Sequence, residues 1–354
     1  MHLVYLGISL PNQNQHPLQH KLQEFGSDEL MSVKLSHDEY PLLLDALKQF
    51  DYVEEVTLIT TCNRFELILF LRDKKLQYIN ELQRVVQSIN KSEIDLDVLY
   101  GDEAKLQILR TYCGLNSGLV GEDEICMQFE ISFRQTHQMG YLGSNGLLLL
   151  DEAKSLRKLI DTKVELERAS YCGIAIDSAL KKFGNRSYQN IIVMGSGSTA
   201  HQACLSLVKF GFNPENMTLL HRISSSSGQI TAIKASPELA DMKYSRAKYG
   251  YHTDRVKAFV ADADLIIFGI DSRLPSLHFT KHYKTAIIDF SSKPSCSFDE
   301  DTSLDRYASS SELDSFVRAY SASRMNDVEF SSKLGLAEEM IQEATFNQNS
   351  VLTI

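Results

Sequence analysis

The sequence predicts an α+β domain, then an α/β domain with a parallel sheet, then a C-terminal helical segment. Three observations carry this. Up to about residue 115, strand-length apolar runs and amphipathic stretches follow one another as strand, helix, two strands, helix and a short strand. The apolar run Gln189-Asn190-Ile191-Ile192-Val193-Met194 leads directly into Gly195-Ser196-Gly197-Ser198-Thr199-Ala200 and a helical pattern to Phe210. Two further apolar runs, Asp264 to Ile270 and Thr285 to Phe290, read as strands buried on both faces, as in a parallel sheet.

Residues 3 to 9 open the chain as a short strand, and the polar stretch Pro11 to Pro17 is a loop. Leu30 to Phe50 is amphipathic and predicts one or two helices. Val56 to Thr60 and Leu67 to Leu71 are the next two strands; Leu76 to Ile89 and Glu103 to Leu115 are helices. Together these make a ferredoxin-like N-terminal unit. A helix is expected from Gly121 to His137, with Glu122, Asp123 and Glu124 in its first turn, where carboxylates favour the helix dipole. Those acids read equally as a solvated turn or as site residues. After the Gly140 to Gly146 loop comes a long helix, Leu147 to Arg168, whose Lys154, Arg157, Lys158, Lys163 and Arg168 read as a solvated face. The segment around Gly195 is a Rossmann-type unit with Thr218 to Arg222 as its second strand. From Ser309 the chain is polar, then helical from about Asp327 to Glu343. The expected domains are residues 1–150 (catalytic), 151–185 (connecting helix), 186–305 (Rossmann-type) and 306–354 (C-terminal helical segment).

Composition narrows the class. At 43% hydrophobic and 23% charged over 354 residues, the chain has the balance of a globular protein of two or three domains. No apolar run reaches the roughly 20 residues of a membrane span. The N-terminus lacks a basic region and cleavage site, so a cytoplasmic protein is expected. Six cysteines show neither Cys-x-x-Cys nor paired Cys/His spacing, which predicts no metal site and no disulfide framework. A net charge of −10 requires any nucleic-acid contact to come from a local basic surface.

Chemistry concentrates in Thr60-Thr61-Cys62-Asn63-Arg64-Phe65-Glu66, where one strand ends and the next begins. Hydroxyls, an amide, a guanidinium and a carboxylate around one thiol suit a pocket better than a core. Arg64 there either lowers the Cys62 thiol pKa or grips a substrate carboxylate. Taken alone, Cys62 reads as a nucleophile or as one more small buried hydrophobe. In the Rossmann-type unit, Gly195 makes the tight turn, Gly197 admits a pyrophosphate, and Ala200 stands at the helix–strand contact. The second strand ends in His221-Arg222, not in an acid that would hold ribose hydroxyls. A cation beside hydroxyls suits a 2′-phosphate, so NADPH is the expected cofactor.

The segment Thr61-Cys62-Asn63-Arg64-x-Glu66, followed by Gly114-Leu115-Asn116-Ser117-x-x-x-Gly121-Glu122-x-x-Ile125-x-x-Gln128, resembles the glutamyl-tRNA reductase family. That family carries Thr-Cys-Asn-Arg-x-Glu and Gly-Leu-Asp-Ser-x-x-x-Gly-Glu-x-x-Ile-x-x-Gln. The resemblance implies that Cys62 attacks glutamyl-tRNA to form a thioester and that NADPH reduces it to glutamate-1-semialdehyde, the first step of tetrapyrrole synthesis. It implies Arg64 as the binder of the glutamate carboxylate, with Thr61, Glu66, Ser117, Glu122 and Gln128 in the pocket. It implies Gly195, Ser196, Gly197, Ser198, Thr199, Ala200, His221 and Arg222 on the cofactor, and the downstream glutamate-1-semialdehyde aminomutase as a partner.

Departures from the pattern are specific. The family histidine, seven residues before the Gly-Leu-Asp-Ser glycine, aligns with Gln107, which cannot carry a proton near neutral pH. Segments Phe268 to Asp271 and Asp289 to Pro294 also differ from the family's small-residue and Pro-Arg patterns. The family continues into a helical dimerisation domain where this sequence stops, so a monomer or weak homodimer is expected. Three readings stand in order: an active reductase, a weak or inactive paralogue that binds or regulates, and an oxidoreductase of the same architecture acting on a small carbonyl compound.

Overall fold

The computed structural model describes residues 1–9, 35, 39–61, 64–90, 96–184, 187–195, 197–222, 236–247, 260–269, 277–279, 284–291, 295–299 and 304–346. In chain order the first elements are β1 (His2–Ser9), α1 (Glu39–Lys48), β2 (Val53–Thr60), β3 (Arg64–Leu71), α2 (Leu76–Asn90), β4 (Asp97–Tyr100) and α3 (Gly101–Tyr112). Next come α4 (Glu124–Gln138), α5 (Ser144–Lys163), α6 (Tyr171–Phe183), β5 (Ile191–Met194), α7 (Ser198–Lys209), β6 (Met217–Arg222) and β7 (Lys243–Ala247). The remainder is β8 (Leu265–Phe268), β9 (Leu277–Phe279), β10 (Ala286–Asp289), β11 (Cys296–Phe298), β12 (Tyr307–Ala308), α8 (Ser310–Met325) and α9 (Val328–Phe346). The chain forms two compact units, residues Met1–Ala169 with Ser321–Ile354, and residues Ser170–Tyr320.

In the first unit the sheet order is β2-β3-β1-β4 with every neighbouring pair antiparallel. With the β-α-β-β-α-β chain order, this is the split βαβ arrangement of a ferredoxin-like domain. The two-residue period of a strand sorts the side chains by face. Val4, Leu6, Ile8, Leu58, Leu67 and Leu69 form one core with Leu43, Leu44 and Leu47 of α1 and Ile79, Leu82 and Val86 of α2. Tyr5, Ile59, Ile68 and Phe70 belong to a second core with Ile108 of α3, Phe129 and Phe133 of α4, and Leu156 of α5. Both faces are therefore covered, which is why β3 is buried along its whole length.

Helix α9 completes the second core with Phe330, Ala337, Ile341 and Ala344. Glu338 on its flank takes a 2.7 Å ion pair from Arg110 of α3, and Lys105 of α3 donates to the Ala344 carbonyl at 3.3 Å. At the start of α5 the chain supplies its own anion. The Glu55 carboxylate accepts from the Gly143, Asn145 and Gly146 amides at 2.8 to 3.1 Å and from Asn145 Nδ2 at 2.6 Å. These donors are the ones a helix N-terminus leaves unpaired.

The second unit has a parallel sheet in the order β12-β10-β8-β5-β6-β7. Renumbered within the unit this is the 3-2-1-4-5-6 order of a Rossmann sheet, with its switch point between β5 and β8. Strands β9 and β11 form a separate parallel pair. Helix α6 has Ser170 as its N-cap, accepting from the Gly173 amide at 3.1 Å, and ends at Gly184 in the left-handed conformation at φ 67°.

Several sequence expectations need correction. The stretch from Ser310 to Met325, read as polar chain, is helix α8. The fourth helix begins at Glu124, not Gly121, so Glu122 lies in the loop before it, where it bridges to Ala169. The basic residues of α5 are not a uniformly solvated face. Arg157 is buried and pairs with Asp123, while Arg168, beyond the helix end, pairs with Asp161. Residues 10–34, which include the Pro11 to Pro17 loop and the start of the Leu30 to Phe50 stretch, lie outside the described residues.

Candidate functional site

Strand β3 begins at Arg64, and β2 ends at Thr60; the Thr61 amide donates to the Arg64 carbonyl at 2.9 Å and ties the two strands together. Cys62 and Asn63 lie between these residues and outside the described ones. The side chain of Arg64 is 4% exposed and that of Glu66 is 0% exposed, joined by a 2.8 Å bond from Arg64 Nη1 to Glu66 Oε1. From Arg64 Nη2, bonds of 3.3 Å run to the Asn116 carbonyl and to Ser117 Oγ. The structure thus brings Arg64, Glu66 and Ser117 together from segments 53 positions apart at the widest.

The segment carrying Ser117 is closed on itself. Gly121 N–H donates to the Gly114 carbonyl at 2.9 Å, and Gly114 has φ 78°, with the Glu122 carbonyl where a Cβ would sit. Three arginines satisfy its backbone carbonyls from outside. Arg157 reaches Tyr112 O at 3.3 Å, Arg168 reaches Cys113 O at 2.7 Å, and Arg324 reaches Val120 O at 3.1 Å. Ser321 Oγ adds a 3.0 Å bond to Gly118 O. A loop this buried keeps its shape only if those carbonyls are paired.

Glu122 is half-buried, hydrogen-bonds Ser117 and faces Arg64. Burial raises the carboxyl pKa of both Glu66 and Glu122 against the opposing pull of Arg64. Gln128 is half-buried on α4, and no hydrogen bond joins it to Arg64 among the described residues.

Four residues of this cluster were missed by the sequence reading. Gly7 of β1 pairs with Glu66 of β3 on one side and Asp97 of β4 on the other. The Tyr5 ring lies over Gly7, its hydroxyl in the space a Cβ would take, beside Glu66 and Gln107. Burial lifts the Asp97 carboxyl to about 6. Thr111 lies beside Glu66 from α3, and Asn116 Nδ2 donates to Gln107 Oε1 at 2.9 Å. A glycine inside a strand, with an aromatic two positions earlier, is the sequence signal that points to Tyr5.

In the second unit, Gly195 has φ 133° and donates its N–H to Leu220 O at 2.9 Å. Gly197 precedes α7 with open space where a Cβ would be, and no side chain caps that helix start among the described residues. Ala200 is fully buried against Gly269, whose Cβ would stand 3.0 Å from Ala200 N. The ends of β5 and β8 thus meet α7 at the switch point of the sheet. Ser198 is exposed and Thr199 half-exposed on the first turn of α7, while Ser196 lies outside the described residues. His221 is buried at the end of β6, and of the Arg222 side chain nothing is described. Among the described residues no group of three or more His, Cys, Asp or Glu is placed to hold a metal, and no helix is long and apolar enough to cross a membrane.

The fold and the clusters define a class: a ferredoxin-like domain with a buried guanidinium–carboxylate site, in one chain with a dinucleotide-binding type of parallel sheet. Residues 18–164 match the model of the glutamyl-tRNA reductase N-terminal domain. Among curated relatives, glutamyl-tRNA reductase of Sulfurihydrogenibium sp. is 25% identical over 252 residues, covering 69% of this chain and 54% of the relative. That of Caldivirga maquilingensis is 28% identical over 236 residues, 65% of this chain and 52% of the relative. Residues 18–164 are thus similar to the N-terminal domain of glutamyl-tRNA reductases, and the chain spans about half the length of the curated relatives it matches. Among solved structures, the glutamyl-tRNA reductase of Methanopyrus kandleri aligns over 97% of this chain and 78% of that chain, with 18% identity and a TM-score of 0.49.

Proposed function

We propose that this chain reduces glutamyl-tRNA with NADPH to glutamate-1-semialdehyde through a thioester on Cys62. The observation that carries the reading is the buried Arg64, two residues beyond Cys62 and fixed by Glu66, Asn116 and Ser117. A desolvated guanidinium at the strand start is suited to hold a carboxylate and so to orient the ester carbonyl beside the thiol. The Cys62 thiolate attacks that carbonyl, and the tRNA hydroxyl leaves with a proton.

The geometry of the second unit supports a bound dinucleotide, which we read as NADPH. Gly197 leaves room for a pyrophosphate at the start of α7, which no side chain caps among the described residues, and Gly269 with Ala200 brings helix and strand together at the switch point. Gly195, Ser196, Gly197, Ser198, Thr199 and Ala200 would hold the pyrophosphate, and His221 with Arg222 the ribose end. When bound, NADPH supplies the hydride that converts an acyl group to an aldehyde. Tetrapyrrole synthesis and the downstream aminomutase as partner belong to the same reading. The test is acid quenching of the protein with glutamate-labelled glutamyl-tRNA before NADPH is added. Label on Cys62 that hydroxylamine releases is expected; label absent from Cys62 in folded protein contradicts the reading.

A further inference from the structure

Arg64 is already occupied. Its Nη1 edge carries Glu66 Oε1, and its Nη2 edge carries Asn116 O and Ser117 Oγ. The groups that face this pair come from three directions. Tyr5 approaches from β1, with Asp97 of β4 beyond it, and Glu122 from the loop before α4. Helix α3 contributes Gln107 and Thr111, which do not titrate. One cation therefore sits between two carboxyl groups, Glu66 and Glu122. Meanwhile Glu66 Oε2 is buried and receives no hydrogen bond of ordinary geometry among the described residues.

A further carboxylate cannot join this cluster unchanged, because adding a buried negative charge beside Glu66 and Glu122 costs far more than one guanidinium returns. We propose that carboxylate capture at Arg64 is coupled to proton uptake: the incoming carboxylate replaces Glu66 on the Nη1 edge, and Glu66 takes one proton onto its carboxyl group. The step balances. Arg64 stays cationic throughout, one ion pair is exchanged for another, and the solvent proton turns Glu66 from acceptor into a neutral donor for a nearby oxygen. Glu66 is the resident carboxylate on the Nη1 edge, and burial already holds its carboxyl above its usual range, as it does that of Glu122. This rests on the reading of Arg64 as the binder of the substrate carboxylate.

The test uses the full chain and a non-reactive probe, glutamyl-adenosine with an amide in place of the ester, beside its glutaminyl counterpart, which shares the α-amino group but lacks the charge. Calorimetric titration in buffers of different ionisation heat counts the protons. The glutamyl probe should take up about one proton more than the glutaminyl probe, and its affinity should fall about tenfold per pH unit where that uptake is complete. Glu66→Gln should bind the glutamyl probe without the extra proton. Binding with no extra uptake by the wild-type chain overturns the coupling while leaving Arg64 as the carboxylate binder, and uptake unchanged in Glu66→Gln overturns the assignment to Glu66. Equal affinity for the two probes, or binding of neither, removes the Arg64 reading and the coupling with it. The wild-type measurement decides the coupling even if the variant fails to fold.

Discussion

Asn116 Nδ2 donates to Gln107 Oε1 at 2.9 Å, and both side chains are buried. The family pattern has histidine and aspartate at these two positions, so a pair able to hold and pass a proton is represented here by two amides, which hold their shape and pass nothing. The backbone carbonyl of Asn116 accepts from Arg64, so the residue that carries this amide also braces the guanidinium. Restoring the pair should matter more than restoring either member. Gln107→His with Asn116→Asp is expected to raise the single-turnover rate of reduction about 100-fold, and Gln107→His alone by less. Rapid-quench measurement with unchanged rates would show that proton transfer at this corner does not limit the reaction.

Reactivity of the thiols is expected to separate Cys62 from the rest. Cys113, Cys204 and Cys296 are buried, and burial pushes each thiol up to about 12. Cys172 is buried too, and Cys126, half-buried, is also raised. Iodoacetamide mapped by mass spectrometry should therefore modify Cys62 first, at least about tenfold faster than the others. Comparable labelling of all six would remove the nucleophile assignment.

Glu55 links pH to stability. Its burial pushes the carboxyl pKa up, but the donors from Gly143, Asn145 and Gly146 outweigh that and hold it below the usual carboxylate range. A lowered folded-state pKa means that the stabilisation is present above the unfolded pKa and is lost as pH falls through the folded one. Glu55→Ala should cost about 2 kcal/mol at neutral pH. Urea titrations should show wild type and variant converging in the acid range; a constant gap down to the lowest pH tested would contradict the capping role.

Strands β1, β2, β3, β5, β6, β8 and β10 were legible as apolar runs, and the strand–glycine–helix unit at Gly195 because glycine spacing and flanking elements agree; β7 and β12 carry no apolar run and were not read. Helix α8 was not. Its buried positions are Leu313, Val317, Ser321 and Arg324, and two of the four are polar residues that bond backbone carbonyls. An apolar period cannot register such a face. Glu122 was misplaced for a related reason, since a run of three acids resembles a helix start whether or not Ser117 and Arg64 wait on one of them. The amide pair joins residues nine positions apart through the fold of a loop, and no local pattern encodes it.

Cofactor choice should follow Arg222. NADPH is expected to bind more tightly than NADH, and Arg222→Ala to narrow that difference by roughly ten- to a hundredfold, the value of one charge-assisted contact of about 1.5 to 3 kcal/mol. Fluorescence titration showing equal affinities in the unaltered chain would contradict the role given to Arg222.

The central claim is settled most directly by incubating the chain with glutamyl-tRNA and NADPH and assaying the products for glutamate-1-semialdehyde, with Cys62→Ser in parallel. The account predicts semialdehyde in amounts matching NADPH consumed, and none from the serine variant. No semialdehyde from folded chain that still binds glutamyl-tRNA, or equal amounts from Cys62→Ser, would contradict it.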